Sequence, residues 1–418
     1  MFRPAAFSSA AFMLSVLTGA ACAQTGTVKP PRAQAWIDVA TFSGMGMPMG
    51  GMSGAGGNPM AALGGMFGGG GGGAKNSFGH TQQMSAGRWV DVTLYSRDAP
   101  ALAEAQQAVP AGFMSPALKL QAPRDAKPPP PDTDEPIEHE VEKPRGRLLL
   151  YWGCGATIRA GQPKVLDMAS ATAADMAKFF QSRRATQRGT HSAAGRPLWP
   201  SPIDARMVPD SASLVGEHAF SGTGVPEGFR FQIPAAQDLM PPLQVSQNDQ
   251  AGATALGWGA LPTARAYFAS GMGASRAEEM VIWTSSELPD IGFGLMDYQT
   301  NSAVDRWLRE GVLLAPATTQ CTVPKGVFPG EGAMLRVIAY GSELNLVHPP
   351  RPADPKANWE PVWASKIRVK SVASLMLGMP AMGAMPSTAK ESDAPEQPAE
   401  RPQKAPGAMD LLKGILGR

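Results

Sequence analysis

The sequence is poor in the features from which binding surfaces and active sites are usually recognised. Charged side chains make up 17% of its 418 residues, against roughly 25% in an average globular protein. Its 37 Lys and Arg nearly cancel its 35 Asp and Glu, leaving a net charge of +2. So small a basic surplus argues against a nucleic-acid partner, because phosphate binding needs clustered cations. Cysteine is scarce, three in all, and C-x-x-C does not occur, which disfavours thiol redox catalysis. The chain also lacks G-x-S-x-G, H-E-x-x-H, G-x-x-x-x-G-K-[ST], and a G-x-G-x-x-G at a strand-to-helix junction. Its five His, at positions 80, 139, 191, 218 and 348, are far apart. The single S-x-x-K, Ser387 to Lys390, lies in a Pro- and Ala-rich stretch that offers no pocket. No catalytic residue is assigned, and the chain is not expected to be an enzyme.

Long apolar runs are missing too, apart from one at the start. Arg3, the run from Ala5 to Leu17, and Ala21-Cys22-Ala23 read as a secretory signal peptide over residues 1–23, cleaved near Ala23. The run is shorter than the roughly 20 residues that a membrane span needs. The protein is therefore expected in the periplasm or outside the cell. Lipid attachment at Cys22 is the alternative, disfavoured because Gly19-Ala20-Ala21 holds no large aliphatic residue. Removing the signal leaves Cys154 and Cys321 in an oxidising compartment. A disulfide between them and two separate buried thiols remain equally open.

What the chain has in abundance is turn and linker material. Its 47 Gly and 40 Pro fill about a fifth of the sequence, well above the usual share. Between them run short β-like segments. Ala35 to Phe42 (AWIDVATF) and Arg88 to Tyr95 (RWVDVTLY) carry the same order of Trp, β-branched residue, Asp and Val, and are expected to pair. Residues 43–79 are Gly- and Met-rich and read as a disordered insertion, as does the Pro-rich, acidic stretch 123–142. Arg147 to Trp152 reads as a buried strand, and Ser170 to Arg184 suits a helix. This part, residues 30–235, is expected to be one β-rich domain.

Residues 241–374 hold seven further β-like runs separated by turn residues, the pattern of a sandwich. Leu256-x-Trp258, Tyr267 nine residues on, and the late run Leu335-Arg-Val-Ile-Ala-Tyr-Gly341 resemble the fibronectin type III pattern of a Trp on one strand facing a Tyr on the next. The resemblance implies an immunoglobulin-like β-sandwich over residues 241–374. It departs from that pattern at Asn301 to Leu314, an amphipathic helix with Val304, Trp307 and Leu308 on one face. The class expected for the whole chain is mainly β, with two sandwich-like domains and one inserted helix in each. Residues 375–408 read as a linker and 409–418 as a short amphipathic tail that docks on a partner or a membrane surface.

Methionine carries the clearest chemical signal. Met45, Met47, Met49 and Met52 have the M-x-M and M-x-x-M spacings that resemble extracytoplasmic copper-handling proteins, and thioethers suit Cu(I) or Ag(I). Met376, Met379, Met382 and Met385 repeat every three residues, which lines up four sulfurs on a polyproline II chain. Gly/Met/Ala/Pro low complexity is the favoured explanation of both clusters, so no cofactor is assigned beyond this Cu(I) candidate. Arg183, Arg184 and Arg188 form a basic patch that suits an anion or the end of a helix. Five Trp, at positions 36, 89, 152, 258 and 283, lie in β-like runs and read as core, whereas Trp199, Trp359 and Trp363 are freer. The reading that follows is a secreted, non-catalytic binding or scaffolding protein whose partner is an envelope protein or a glycan. The alternatives are a periplasmic Cu(I)/Ag(I) binder and a hydrolase with its site at the domain junction.

Overall fold

The two segments that share Trp, Asp and Val in the same order lie side by side. Strand β1 (Ala33–Gly44) pairs antiparallel with β2 (Gly87–Ser96), so that the two shared Asp residues, Asp38 and Asp91, stand directly opposite each other. The computed structural model describes residues 27–44, 76–83, 85–114, 117–124, 146–184, 189–276, 279–329, 332–354 and 356–377. The strands that follow β2 are β3 (Glu104–Ala108), β4 (Ala117–Gln121), β5 (Arg147–Trp152), β6 (Lys164–Asp167), β7 (Leu198–Trp199), β8 (Gly216–Ser221) and β9 (Arg230–Ile233). Then come β10 (Val245–Gln250), β11 (Ala253–Trp258), β12 (Ala266–Arg276), β13 (Glu279–Thr284), β14 (Gln320–Val323), β15 (Met334–Tyr340), β16 (Leu344–His348) and β17 (Trp363–Met376). Helices α1 (Ala173–Phe179) and α2 (Asn301–Arg309) are the two α-helices among the described residues. The protein is mainly β.

Fourteen strands form one sheet in the order β6-β5-β13-β12-β15-β17-β1-β2-β7-β4-β3-β8-β9, with β16 also paired to β17; β10, β11 and β14 form a second, three-stranded sheet. The large sheet draws on both segments expected as separate domains. Strand β5 pairs parallel with β13, and β1 pairs parallel with β17 along its whole length, Ala33 opposite Trp363 through Gly44 opposite Ser374. The division expected near residue 240 therefore does not separate two sheets. A strand's alternation shows which face is buried, but it does not show which neighbours complete its hydrogen bonds.

Alternation sets the two faces of the central strands. Ala35, Ile37 and Val39 of β1, Val90 and Val92 of β2, and Ile367 and Val369 of β17 enter the main core. The sheet curls over this core until Phe229, just ahead of the edge strand β9, stacks on Trp363 of β17 with ring centroids 5.0 Å apart. Beyond β17 the same core is closed by the three-stranded sheet, where Trp258 meets Tyr267 at 5.5 Å. Cys154 and Cys321 are disulfide-bonded, with Cα atoms 5.2 Å apart, and tie the end of β5 to β14. On the opposite face, α2 is capped by Thr300, whose hydroxyl accepts from Ala303 N, and it lays Val304 and Trp307 against Phe268, Ile338 and Tyr340.

Several expected boundaries change. Both ends of the segment expected as an insertion, 43–79, belong to the folded part: Ser43 and Gly44 continue β1, and Asn76 is buried with its amide donating to Arg206 O at 2.6 Å; residues 45–75 lie outside the described residues. Helix α1 begins on a capping box between Thr172 and Asp175 but stops at Phe179, because Ser182 and Arg183 are drawn out of the helical path by Asp290. Trp199 and Trp363 are core residues, whereas Trp36 and Trp152 are only partly buried. The signal segment, most of the 123–142 insertion and the tail beyond Leu377 lie outside the described residues.

The disulfide closes a loop spanning 167 residues of sequence, and a loop of that size stabilises a fold by about 4–5 kcal/mol on the chain-entropy model. Intact mass spectrometry is expected to find the two cysteines bonded, and Cys154→Ser with Cys321→Ser is expected to lower the unfolding free energy in urea by roughly that amount. An unchanged midpoint would show that the bond is dispensable.

Candidate functional site

The face of β1 turned away from the main core carries Trp36, Asp38, Ala40 and Phe42, and its middle is charged. Register places Asp91 of β2, Asp38 of β1 and Arg368 of β17 in one transverse row, and all three are nearly inaccessible to solvent. Arg368 donates to Asp38 through Nε at 2.7 Å and Nη2 at 2.6 Å. Asp38 Oδ2 also accepts from Thr190 N at 3.0 Å and Thr190 Oγ1 at 2.7 Å. The strap that brings Thr190 here passes so close that a Cβ on Gly189 would meet Arg368 Nη2 at 1.8 Å. Only glycine fits at that point. His191 continues the strap with its Nδ1 bonded to Gly189 O at 3.0 Å, and Arg196 donates to its Nε2.

Asp91 is held from the other side. Its carboxylate accepts from Gly79 N at 2.9 Å, from Thr81 N at 3.2 Å and from the Thr81 hydroxyl. Burial nevertheless dominates and, with the nearby charge of Asp38, pushes the Asp91 pKa up to about 7. One row further along β17, Lys370 Nζ lies 3.2 Å from Asp297 Oδ1 and 4.2 Å from the centre of the Tyr298 ring. Arg368 covers the same ring at 4.4 Å. Burial lowers the pKa of Lys370, against the pull of Asp297. For Asp297 burial works upward, but Lys370 and Arg368 outweigh it and the pKa falls. Burial works against the charge of Arg368 as well, and Asp38 more than reverses it. Tyr298 is raised well above its ordinary value by burial and by Asp38, and its hydroxyl has no hydrogen-bond partner among the described residues.

Four donors are directed at the carboxyl group of Asp38 and three at that of Asp91, so both are committed to partners inside the protein. The arrangement clamps the two halves of the sheet together.

Exposed polar groups gather elsewhere. On the outer face, where β3, β4 and β8 meet, a cleft of about 390 Å³ is lined by Glu104, Gln106, Lys119, Ile203, Ser221 and Thr223. Glu104 accepts from Gln121 at 3.2 Å. The side chains of Gln106 and Lys119 have no partner among the described residues. Ile203 is 50% exposed at the cleft.

The residues singled out from the sequence do not converge. Met45, Met47, Met49 and Met52 lie outside the described residues, as do Met379, Met382 and Met385; Met376 is the last residue of β17 and not part of a polyproline stretch. Arg188 is also outside. Arg183 is engaged by Asp290 at 3.0 Å and Glu310 at 3.2 Å, while Arg184 is exposed, so the first two arginines do not form a shared anion site. His80 and His218 are buried and structural: His218 is bonded to Leu214 O at 2.8 Å and Gln107 at 3.0 Å. Among the described residues no three His, Cys, Asp or Glu come together as a metal site, and no helix is long and apolar enough to cross a membrane. No family model, curated protein or solved structure matches the chain.

The buried row escaped sequence reasoning, although two signals pointed to it. An Asp recurs at the same position in both Trp-led strands, and β17 alternates Lys366, Arg368 and Lys370 with small or apolar residues.

Removing one partner of a buried pair leaves an uncompensated charge, which costs about 3–5 kcal/mol. Arg368→Met is expected to lose that much stability in urea unfolding, and the double variant Asp38→Leu, Arg368→Met is expected to recover most of it. Asp91 adds a pH signature. Its folded pKa lies above the unfolded value of about 4, so its contribution is fully favourable below pH 4 and is lost as pH rises to about 7. Stability of Asp91→Asn relative to wild type is expected to rise across that window, by up to roughly 4 kcal/mol. A difference that stays flat from pH 4 to 7 would place the proton elsewhere.

Proposed function

We propose that the protein is a secreted, non-catalytic binding or scaffolding protein of the cell envelope, with its ligand seated in the cleft formed by β3, β4 and β8. One contrast carries this reading. The buried carboxylates are spent on internal partners, whereas the outer cleft offers an acid, an amide, a lysine and two hydroxyls around an exposed isoleucine. Its volume of about 390 Å³ falls in the range of small-ligand sites. Mixed donors and acceptors on a rigid sheet suit a neutral, hydroxyl-rich glycan or the backbone of an extended envelope protein.

The disulfide supports an extracytoplasmic location, because such bonds persist in oxidising compartments. The fibronectin type III resemblance of residues 241–374 points in the same direction, since sandwiches of that kind serve mainly as recognition modules. The packing of Trp258 on Tyr267 supports that resemblance, and the Tyr267 hydroxyl accepts from Leu261 N at 2.7 Å. A hydrolase reading would need a free base at the junction of the two halves, where Asp38 and Asp91 are already engaged.

The test places a photo-cross-linking residue at Gln106 in cells and measures sedimentation of the purified protein with cell-wall glycan. A discrete adduct, or co-sedimentation weakened about tenfold by Lys119→Glu, is expected. Neither adduct nor co-sedimentation would overturn the cleft as the binding surface.

A further inference from the structure

Antiparallel partners in register share a face of the sheet, and near one end of this sheet that rule lines up three methionines. Met272 of β12 pairs with Met334 of β15, which in turn pairs with Met376 of β17. All three are partly exposed. Met272 also borders an apolar group of Leu148, Leu166, Met168 and Met280. The row directly inward on the same face is Ser270, Arg336 and Ser374. Here a thioether already acts as an acceptor: Ser270 Oγ donates to Met296 Sδ at 3.4 Å.

We propose that Met272, Met334 and Met376 form a thioether site for a soft monovalent cation, Cu(I) or Ag(I). Directly opposed strand residues have Cβ atoms about 4.5–5.5 Å apart, and methionine has three rotatable bonds, so three sulfurs on adjacent strands can turn toward one ion. Neutral, polarizable sulfur matches a soft ion with low charge and offers little to Mg²⁺, Ca²⁺ or Zn²⁺.

The site stands on described residues alone and is independent of the outer cleft. It is also separate from Met45, Met47, Met49 and Met52, which follow Gly44 in the sequence, so the experiment has to tell the two groups apart. Full-length protein carrying ¹³C-methyl methionine is titrated with Ag(I), a redox-inert probe, and followed by NMR. Three methyl resonances, assigned through single Met→Leu variants, are expected to shift together and saturate at one equivalent. Met45→Leu, Met47→Leu, Met49→Leu and Met52→Leu together are expected to leave those three shifts intact. The triple variant Met272→Leu, Met334→Leu, Met376→Leu keeps the apolar volume and is expected to bind Ag(I) at least about tenfold more weakly by calorimetry. If the triple variant does not fold, Met334→Leu and Met376→Leu singly carry the same comparison. Fixed resonances at the three positions, or affinity unchanged in the variants, would overturn the proposal.

Discussion

The parallel pairing of β1 with β17 is the constraint on which the rest of the structure depends. It brings residues 33–44 beside residues 363–374, and everything between must be arranged so that these two strands meet. On one side β17 leads through β15 and β12 to the half of the sheet closed by the disulfide; on the other β1 leads through β2 to the half that curls back onto Trp363. A pairing between strands so distant in sequence has a high loop-closure cost. It is held by burial on one face and by the Asp38–Arg368 pair on the other. That pair contributes little more to net stability than an apolar pair of similar volume would. Its stronger effect is on register, because slipping β17 by one residue would carry Arg368 into the main core and leave Asp38 unpartnered.

The strap from Gly189 to His191 follows from the same requirement. A buried carboxylate with only its arginine would still have lone pairs to satisfy. Thr190 supplies two donors, and Gly189 permits the approach because any side chain would strike the guanidinium. Asp91, lacking a cation, is satisfied instead by the turn at Gly79 to Thr81. Two identical Asp residues in sister strands therefore end with opposite electrostatics. One is paired with a buried arginine, and the other, without a cation, is pushed toward neutrality by burial.

How much of this could be read from the sequence differs from element to element. The pairing of the two Trp-led strands, the amphipathic helix at Asn301, and the contact of Trp258 with Tyr267 were legible, because each follows from local periodicity or from two residues close in sequence. The sharing of β5 and β17 between the two halves was not. Arg147 to Trp152 and Trp363 to Met376 read as strands, but their partners, β13 and β1, lie over a hundred and over three hundred residues away, and alternation is silent about distance. Trp199 and Trp363 looked free because prolines lie near them, yet they fill the curl of the sheet. Arg183 of the basic patch is engaged by Asp290, a residue that nothing near position 183 announces.

Methionine follows the same logic. In sequence it is most conspicuous where spacing is regular and glycine surrounds it. Met272 and Met334 have no methionine pattern around them, and Met376 stands out in sequence only with Met379, Met382 and Met385; the three lie sixty-two and forty-two residues apart and come together only because β12, β15 and β17 are adjacent and in register. A sheet can assemble a ligand set from single residues that no motif search would group. It does so with backbone hydrogen bonds already in place, so only side-chain rotamers remain to be fixed when a ligand arrives.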